Sequence, residues 1–145
     1  MILDRVQDAG NVGSILRSAS AFGFKQIIAL QGTAALWSPK VLRAGMGAQW
    51  GLQLIEGAEL NMVARLTVPI VVTSSHRGLL LHHALSCNAL PTPCAWVLGH
   101  EGQGISAELE AMASLNVRIT QPGGEESLNV AAAAAICLHA CATTV

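Results

Sequence analysis

Residues 2–30 read ILDRVQDAGNVGSILRSASAFGFKQIIAL, and this stretch decides the fold class. Ile2–Val6 is a short apolar run that predicts a strand. Asp8–Asn11 is turn-forming, and Asn11 suits an N-cap for a helix over Val12–Phe22 that Gly23 stops. Gln26–Leu30 then predicts a buried strand. The alternation continues along the chain. Ser38-Pro39 opens a short helix through Ala44, with proline at its first position. A strand at Trp50–Ile55, a helix at Ala58–Leu66 and a strand at Pro69–Thr73 follow. Ser74–Pro93 is mixed and turn-rich. Cys94–Leu98 predicts a strand, Ser106 caps a helix through Ala113, and Asn116–Ile119 predicts the last strand. Ser127 reads as the cap of a final helix through Ala142. Strands alternating with helices imply an α/β protein, a mostly parallel sheet with helices on both faces.

Ligands of such sheets bind beyond the carboxyl ends of the strands. Three glycine-containing loops follow predicted strands there: Asp8–Gly13, Gly99–Gly104 and Gln121–Glu126. In the second, three glycines surround Glu101, a carboxylate able to accept from a ribose, an amine or a neighbouring backbone, or simply to sit solvated in a tight turn. Asn129 opens an apolar helix and needs a partner if buried. Arg17 follows Asn11 by six residues, so the two converge only if a substrate lies across the helix start; otherwise Arg17 is a surface arginine. A dinucleotide fold would place an acidic residue about 20 positions after the first glycine loop. Leu30 and Gln31 stand there, which disfavours a nucleotide-dependent oxidoreductase.

Composition narrows the class further. The 145 residues are 52% hydrophobic and 12% charged, with mean hydropathy +0.48, which excludes a disordered chain and fits one domain with a real core. So little charge implies apolar surface covered by a partner, most simply a second copy. The net charge of −1 is uneven. Arg5, Arg17, Lys25, Lys40 and Arg43 stand against Asp4 and Asp8 in the first 45 residues, a local balance of +3, and the remainder carries −4. An anionic partner therefore belongs on the first third, and any grip on nucleic acid rests on a local patch. Cysteines 87, 94, 137 and 141 form no C-x-x-C pair. They read as buried reduced thiols of a cytoplasmic protein rather than a zinc site. Charged residues from Asp4 onward interrupt any signal peptide, and the apolar run Val130–Leu138 is too short to span a bilayer.

Three segments in this order resemble the SpoU (also called TrmH) family of SPOUT-class RNA methyltransferases. They are DAGNVGSILRSA at Asp8–Ala19, VLGHEGQGIS at Val97–Ser106 and ITQPGGEESLNVA at Ile119–Ala131, and the resemblance covers essentially the whole chain. It implies a deep trefoil knot in the C-terminal part, a homodimer, S-adenosylmethionine as methyl donor with S-adenosylhomocysteine as product, no metal, and a ribose 2′-hydroxyl of transfer or ribosomal RNA as acceptor. By the same resemblance Asn11, Arg17, Glu101, Ser127 and Asn129 form the catalytic constellation. The donor would lie among Thr73, Leu98, Gly99, Glu101, Gly102, Ile119, Ser127, Leu128 and Asn129, with its adenosine against the backbones of Leu98, Gly99, Ile119 and Leu128. Many family members carry a separate N-terminal RNA-binding domain, so residues 1–145 are expected to be the catalytic domain of a longer enzyme, with weak RNA affinity of its own. Thr120-Gln121 replaces the common Pro-Met of the third motif, and Ala9 replaces a common proline in the first. A non-catalytic knotted dimer that binds RNA or a protein partner is the competing reading. His100 is expected to be variable loop chemistry rather than a base.

Overall fold

The computed structural model describes residues 1–144. Strands β1 (Ile2–Asp4), β2 (Gln26–Leu30), β3 (Gln53–Ala58), β4 (Ile70–Thr73), β5 (Leu79–Leu80), β6 (Ala95–Gly99) and β7 (Leu115–Arg118) form one sheet in the order β3-β2-β1-β6-β4-β7-β5. Every neighbouring pair is parallel, with Ile2 opposite both Ile28 and Val97, and Thr73 opposite Val117. The helices are α1 (Ala9–Ala21), α2 (Pro39–Gly45), α3 (Leu60–Ala64), α4 (Leu81–Ser86), α5 (Ala107–Met112) and α6 (Val130–Ala142).

The central strands are short continuous apolar runs because both faces are covered. Leu3, Ile27, Val71, Trp96 and Leu98 point to one core, where Val12, Ile15 and Leu16 of α1 and Ala134 and Leu138 of α6 meet them. Ile2, Ile28, Val72 and Val97 point to the other, closed by Val63 of α3 and Leu109 of α5. The expected α/β class with helices on both faces is therefore observed.

Several boundaries differ from expectation. β1 ends at Asp4, where Arg5 takes a left-handed backbone (φ 59°) and turns the chain. Asn11 does not cap α1. The helix begins at Ala9, and the Asp8 carboxylate caps it by accepting from the Asn11 N–H at 2.8 Å, which leaves the Asn11 amide free to point outward. Ser127 does not cap the last helix either; Asn129 does, accepting from Ala131 and Ala132 N–H at 2.9 and 3.1 Å. Trp50 belongs to a 3-10 turn over Ala48–Gly51, ahead of β3. The third helix is shorter than expected, Leu60–Ala64. Cys137 and Cys141 are buried and Cys94 is half-buried, but Cys87 is exposed.

Helix α1 crosses α2 at Gly13, where an added Cβ would lie 2.7 Å from the Val41 carbonyl oxygen and 2.8 Å from the Gly45 nitrogen. The absence of a side chain there lets two helices meet backbone to backbone, and it fixes α1, with Asn11 and Arg17, relative to α2.

Candidate active site

The carboxyl ends of β4 and β6, the segment after β7 and the first turns of α1 and α6 open onto a cavity of about 590 Å³, within the usual range for small-molecule sites of roughly 300–1,000 Å³. After β1, the chain turns at Arg5 and presents the Gln7 and Asp8 N–H groups across the gap to the β6 loop. Glu101 accepts both, Oε1 from Asp8 at 2.9 Å and Oε2 from Gln7 at 3.2 Å. The Asn11 amide also donates to Glu101 Oε1 at 3.4 Å. Asn129 Nδ2 donates to Asn11 Oδ1 at 3.0 Å while its own Oδ1 caps α6. A single chain of contacts, Glu101–Asn11–Asn129, thus joins all three motif loops and the starts of two helices.

The β6 loop is built around two glycines and a histidine. Gly99 is buried, and a Cβ on it would lie 2.5 Å from the Gly104 carbonyl carbon and 2.6 Å from the Ile105 nitrogen. The loop closes there through reciprocal His100–Gly104 backbone bonds at 3.0 and 2.9 Å, with Gly104 in the left-handed region (φ 69°). His100 is a structural member of this loop. Its Nδ1 accepts from Gly102 and Gln103 N–H, both at 3.0 Å, so its proton sits on Nε2, 3.2 Å from Gln7 Oε1. Buried Asp4 holds the far end by accepting from Ser106 N–H at 2.7 Å, and Arg5 bridges Asp4, Gln103 Oε1 and the Gly104 carbonyl. Sequence reasoning missed Asp4, Arg5, Gln7 and Gln103 as supports. Nothing local marks them, because each acts across more than ninety residues.

Of the sequence-expected residues, Asn11, Thr73, Gly99, Glu101 and Gly102 line the cavity, as do Ile119, Ser127, Leu128 and Asn129. Leu98 is not among the lining residues; its side chain is buried in the core, 1% exposed, and the contact expected there is through its backbone. Arg17 does not line the cavity of its own chain. It is exposed on α1 and makes no ion pair among the described residues.

The lining contains the carboxylates of Glu101 and Glu126 and neither lysine nor arginine, a wall suited to a cationic or neutral ligand rather than a pyrophosphate. Gln121 Oε1 is buried against it without a hydrogen-bond partner among the described residues. Ile105, Ile119, Leu128 and Ala133 supply apolar surface. Cavity size, an unpaired acceptor, mixed walls and acidic charge all fit S-adenosylmethionine, whose sulfonium and ammonium are positive. Among the described residues no His, Cys, Asp and Glu groups cluster as a metal site, and no helix is long and apolar enough to cross a membrane.

Burial pushes the Glu101 carboxyl upward, but donation from the backbones of Asp8, Glu101 itself and Gln7 and from the Asn11 amide outweighs it, and its pKa lies below the ordinary glutamate value. A depressed folded-state pKa stabilises the folded loop above the unfolded value, and that contribution is lost as pH falls through the folded one. Cofactor-product affinity should therefore stay flat down through the usual glutamate range and fall only below it. Glu101→Gln should show weaker affinity without this acid limb. Titrations with S-adenosylhomocysteine across acidic pH check both, and an acid limb retained in Glu101→Gln would assign it to another group.

The family model for the SpoU rRNA methylase family matches residues 1–139. The chain is 31% identical over 141 residues to the 23S rRNA (guanosine(2553)-2′-O)-methyltransferase RlmP of Bacillus subtilis, covering 96% of this chain and 56% of that protein. It is 32% identical over 143 residues to the 23S rRNA (guanosine-2′-O-)-methyltransferase RlmB of Bordetella pertussis, covering 96% and 57%. The structure of an AdoMet-bound rRNA methyltransferase from Sinorhizobium meliloti superposes with a TM-score of 0.86 at 30% identity, over 97% of this chain and 54% of that one. The chain spans little more than half the length of the curated relatives it matches. With the family's motifs converging on one cavity and its model matching nearly end to end, the chain belongs to the SpoU rRNA methylase family.

Proposed function

We propose that this chain transfers a methyl group from S-adenosylmethionine to a ribose 2′-hydroxyl of ribosomal or transfer RNA: the S–CH3 bond breaks as the O–CH3 bond forms, S-adenosylhomocysteine leaves, and the hydroxyl proton passes to solvent water. The observation that carries the reading is the Glu101–Asn11–Asn129 hydrogen-bonded set at the mouth of the cavity. When bound, S-adenosylmethionine supplies a methyl group already activated on a sulfonium. What remains for the protein is to align the two reactants and to stabilise the charge that develops on the acceptor oxygen.

The walls of Gly99, Ile119 and Leu128 would hold the donor, with Thr73 at the end of β4 and Gly102 beside it. Thr73 is itself held by donating to the Val97 carbonyl at 3.3 Å. Glu101 fixes the loops rather than moving a proton, since its carboxylate is committed to three donors. Asn11, Asn129 and the exposed Ser127 present polar groups to the acceptor ribose. Arg17 would lie over the 2′-oxygen and the adjoining phosphate once RNA crosses the start of α1. A guanidinium does not give up its proton near neutrality, so Arg17 stabilises the developing alkoxide and positions the nucleotide.

In this reading residues following β6 form the deep trefoil knot. Supporting it, β7 enters the sheet between β4 and β5, and the chain then returns to start α6 beside Asn11. The active form is a cytoplasmic homodimer; Ile136 on α6, 41% exposed, is apolar surface for a second copy to cover. The domain works as the catalytic part of a longer enzyme.

Calorimetric titration with S-adenosylhomocysteine tests the cofactor assignment. Saturation near one site per chain is the expected result, and absence of binding would remove the methyltransferase reading's support in the cavity.

A further inference from the structure

Away from the cavity, the protein exposes an aromatic pair that the methyl-transfer reading does not use. Trp50 is 79% exposed and Trp37 41%, with ring centroids 5.2 Å apart and planes at 58°; Met46 beside them in sequence is 71% exposed. Large exposed apolar groups of this kind mark contact sites.

The pair is held in place from beneath. Leu36 and Gln49, the residues preceding each tryptophan, are 0% and 1% exposed, and Gln49 Nε2 donates to the Leu36 carbonyl at 3.3 Å. Leu36 N–H in turn donates to Glu56 Oε1 at 2.7 Å. Left-handed backbone at Met46 and Gly47 (φ 52° and 85°) turns the chain so that the 3-10 segment brings Trp50 back to Trp37. Two buried neighbours bonded to each other thus project two indoles side by side, an ordered surface at little further entropic cost.

Charge selects the occupant. Lys40 and Arg43 stand exposed three residues apart on α2, between the tryptophans in sequence, and neither makes an ion pair among the described residues. A second copy docked here about a two-fold axis would bring a second Lys40–Arg43 pair into the same interface and offer it no added anion. A polyanion with flat faces meets both features. The segment leading to Trp37 is also tied to the site: Ala34 N–H donates to the Val6 carbonyl at 2.9 Å and Arg5 N–H to Thr33 Oγ1 at 3.1 Å. The segment leading to Trp37 is thus fastened to the turn after β1, whose Arg5 and Gln7 also hold the β6 loop, and α2 and the 3-10 segment pack against α1.

We infer that Trp37 and Trp50 form a stacking platform for an unpaired base of the RNA substrate, with Lys40 and Arg43 taking the neighbouring phosphates. The inference rests on the RNA reading above and specifies where the strand leaves the cavity. Stacking tolerates any base, so the platform supplies affinity and register rather than sequence choice.

The test titrates the full chain with a short fluorescein-labelled oligouridylate, following anisotropy and the intrinsic tryptophan emission. Wild type should bind with quenching. Trp50→Ala should bind about tenfold more weakly and Trp50→Phe in between. Arg43→Ala should lower the slope of log affinity against log salt by about 0.7. Binding of S-adenosylhomocysteine should be unchanged in all three variants. Trp50→Ala binding the oligonucleotide as wild type does would overturn the platform. So would absent quenching in wild type, or a change in sedimentation of Trp50→Ala with oligonucleotide affinity unaltered, which would assign the patch to self-association. The cofactor-product titration is independent: binding there without oligonucleotide quenching sinks the platform alone, and its absence sinks the methyltransferase reading alone.

Discussion

Arg17→Ala should lower methyl transfer by about 10²–10³-fold, the loss expected when a group that stabilises developing charge on oxygen is removed. The fall should appear in kcat, with the KM for S-adenosylmethionine and the affinity for S-adenosylhomocysteine unchanged, because Arg17 does not line the cavity. Stability should move by less than about 0.5 kcal/mol, as for other exposed positions without partners. Arg17→Lys discriminates between charge and shape. It keeps the positive charge but not the planar fork that can hold an oxyanion and a phosphate together, so only part of the rate should return. Loss of S-adenosylhomocysteine binding in Arg17→Ala would contradict the geometry directly and place the guanidinium at the donor.

The same residue shows where sequence reading stops. Arg17 stands in a motif, yet its spacing from Asn11 leaves open whether the two act together, and the structure of one chain does not bring its guanidinium to the cavity. What was legible was periodic or local. The strand Gln26–Leu30 falls where its apolar run predicts, and the alternation of elements gives the parallel sheet. The helix starts were misplaced by two to three residues because Asp8, Asn11, Ser127 and Asn129 are all competent caps. Choosing among them depends on contacts made far along the chain. Asn129 caps α6 while its amide is held by Asn11, and Asp8 caps α1 while its N–H is held by Glu101. Those contacts also explain the site. Glu101 was identifiable as a carboxylate among glycines, but the groups it holds lie ninety or more residues away. The tryptophan pair is likewise formed by a buried glutamine that composition would have placed at the surface.

Gly99→Ala should be the most damaging single methyl addition in the site. Gly99 ends β6 in the middle of the sheet, paired with Asp4 of β1. The new Cβ would meet the Gly104 carbonyl carbon at 2.5 Å and its oxygen at 2.7 Å, both backbone, so no side chain can swing aside. Relief requires the His100–Gly104 closure to open, and that closure carries Glu101 toward Asp8, Gln7 and Asn11. The expected outcome is a stability loss of about 1–3 kcal/mol, typical of overpacking, seen as a lowered thermal midpoint. Affinity for S-adenosylhomocysteine should fall together with it, since the displaced loop forms the cavity wall. Gly123→Ala is the matched control: it lies in the third motif's loop, its added Cβ would have nothing within 4 Å, and it should retain wild-type stability and binding. Equal, small effects from both substitutions would mean that the β6 loop is free to rearrange. Close backbone packing at Gly99 would then have no part in shaping the donor site.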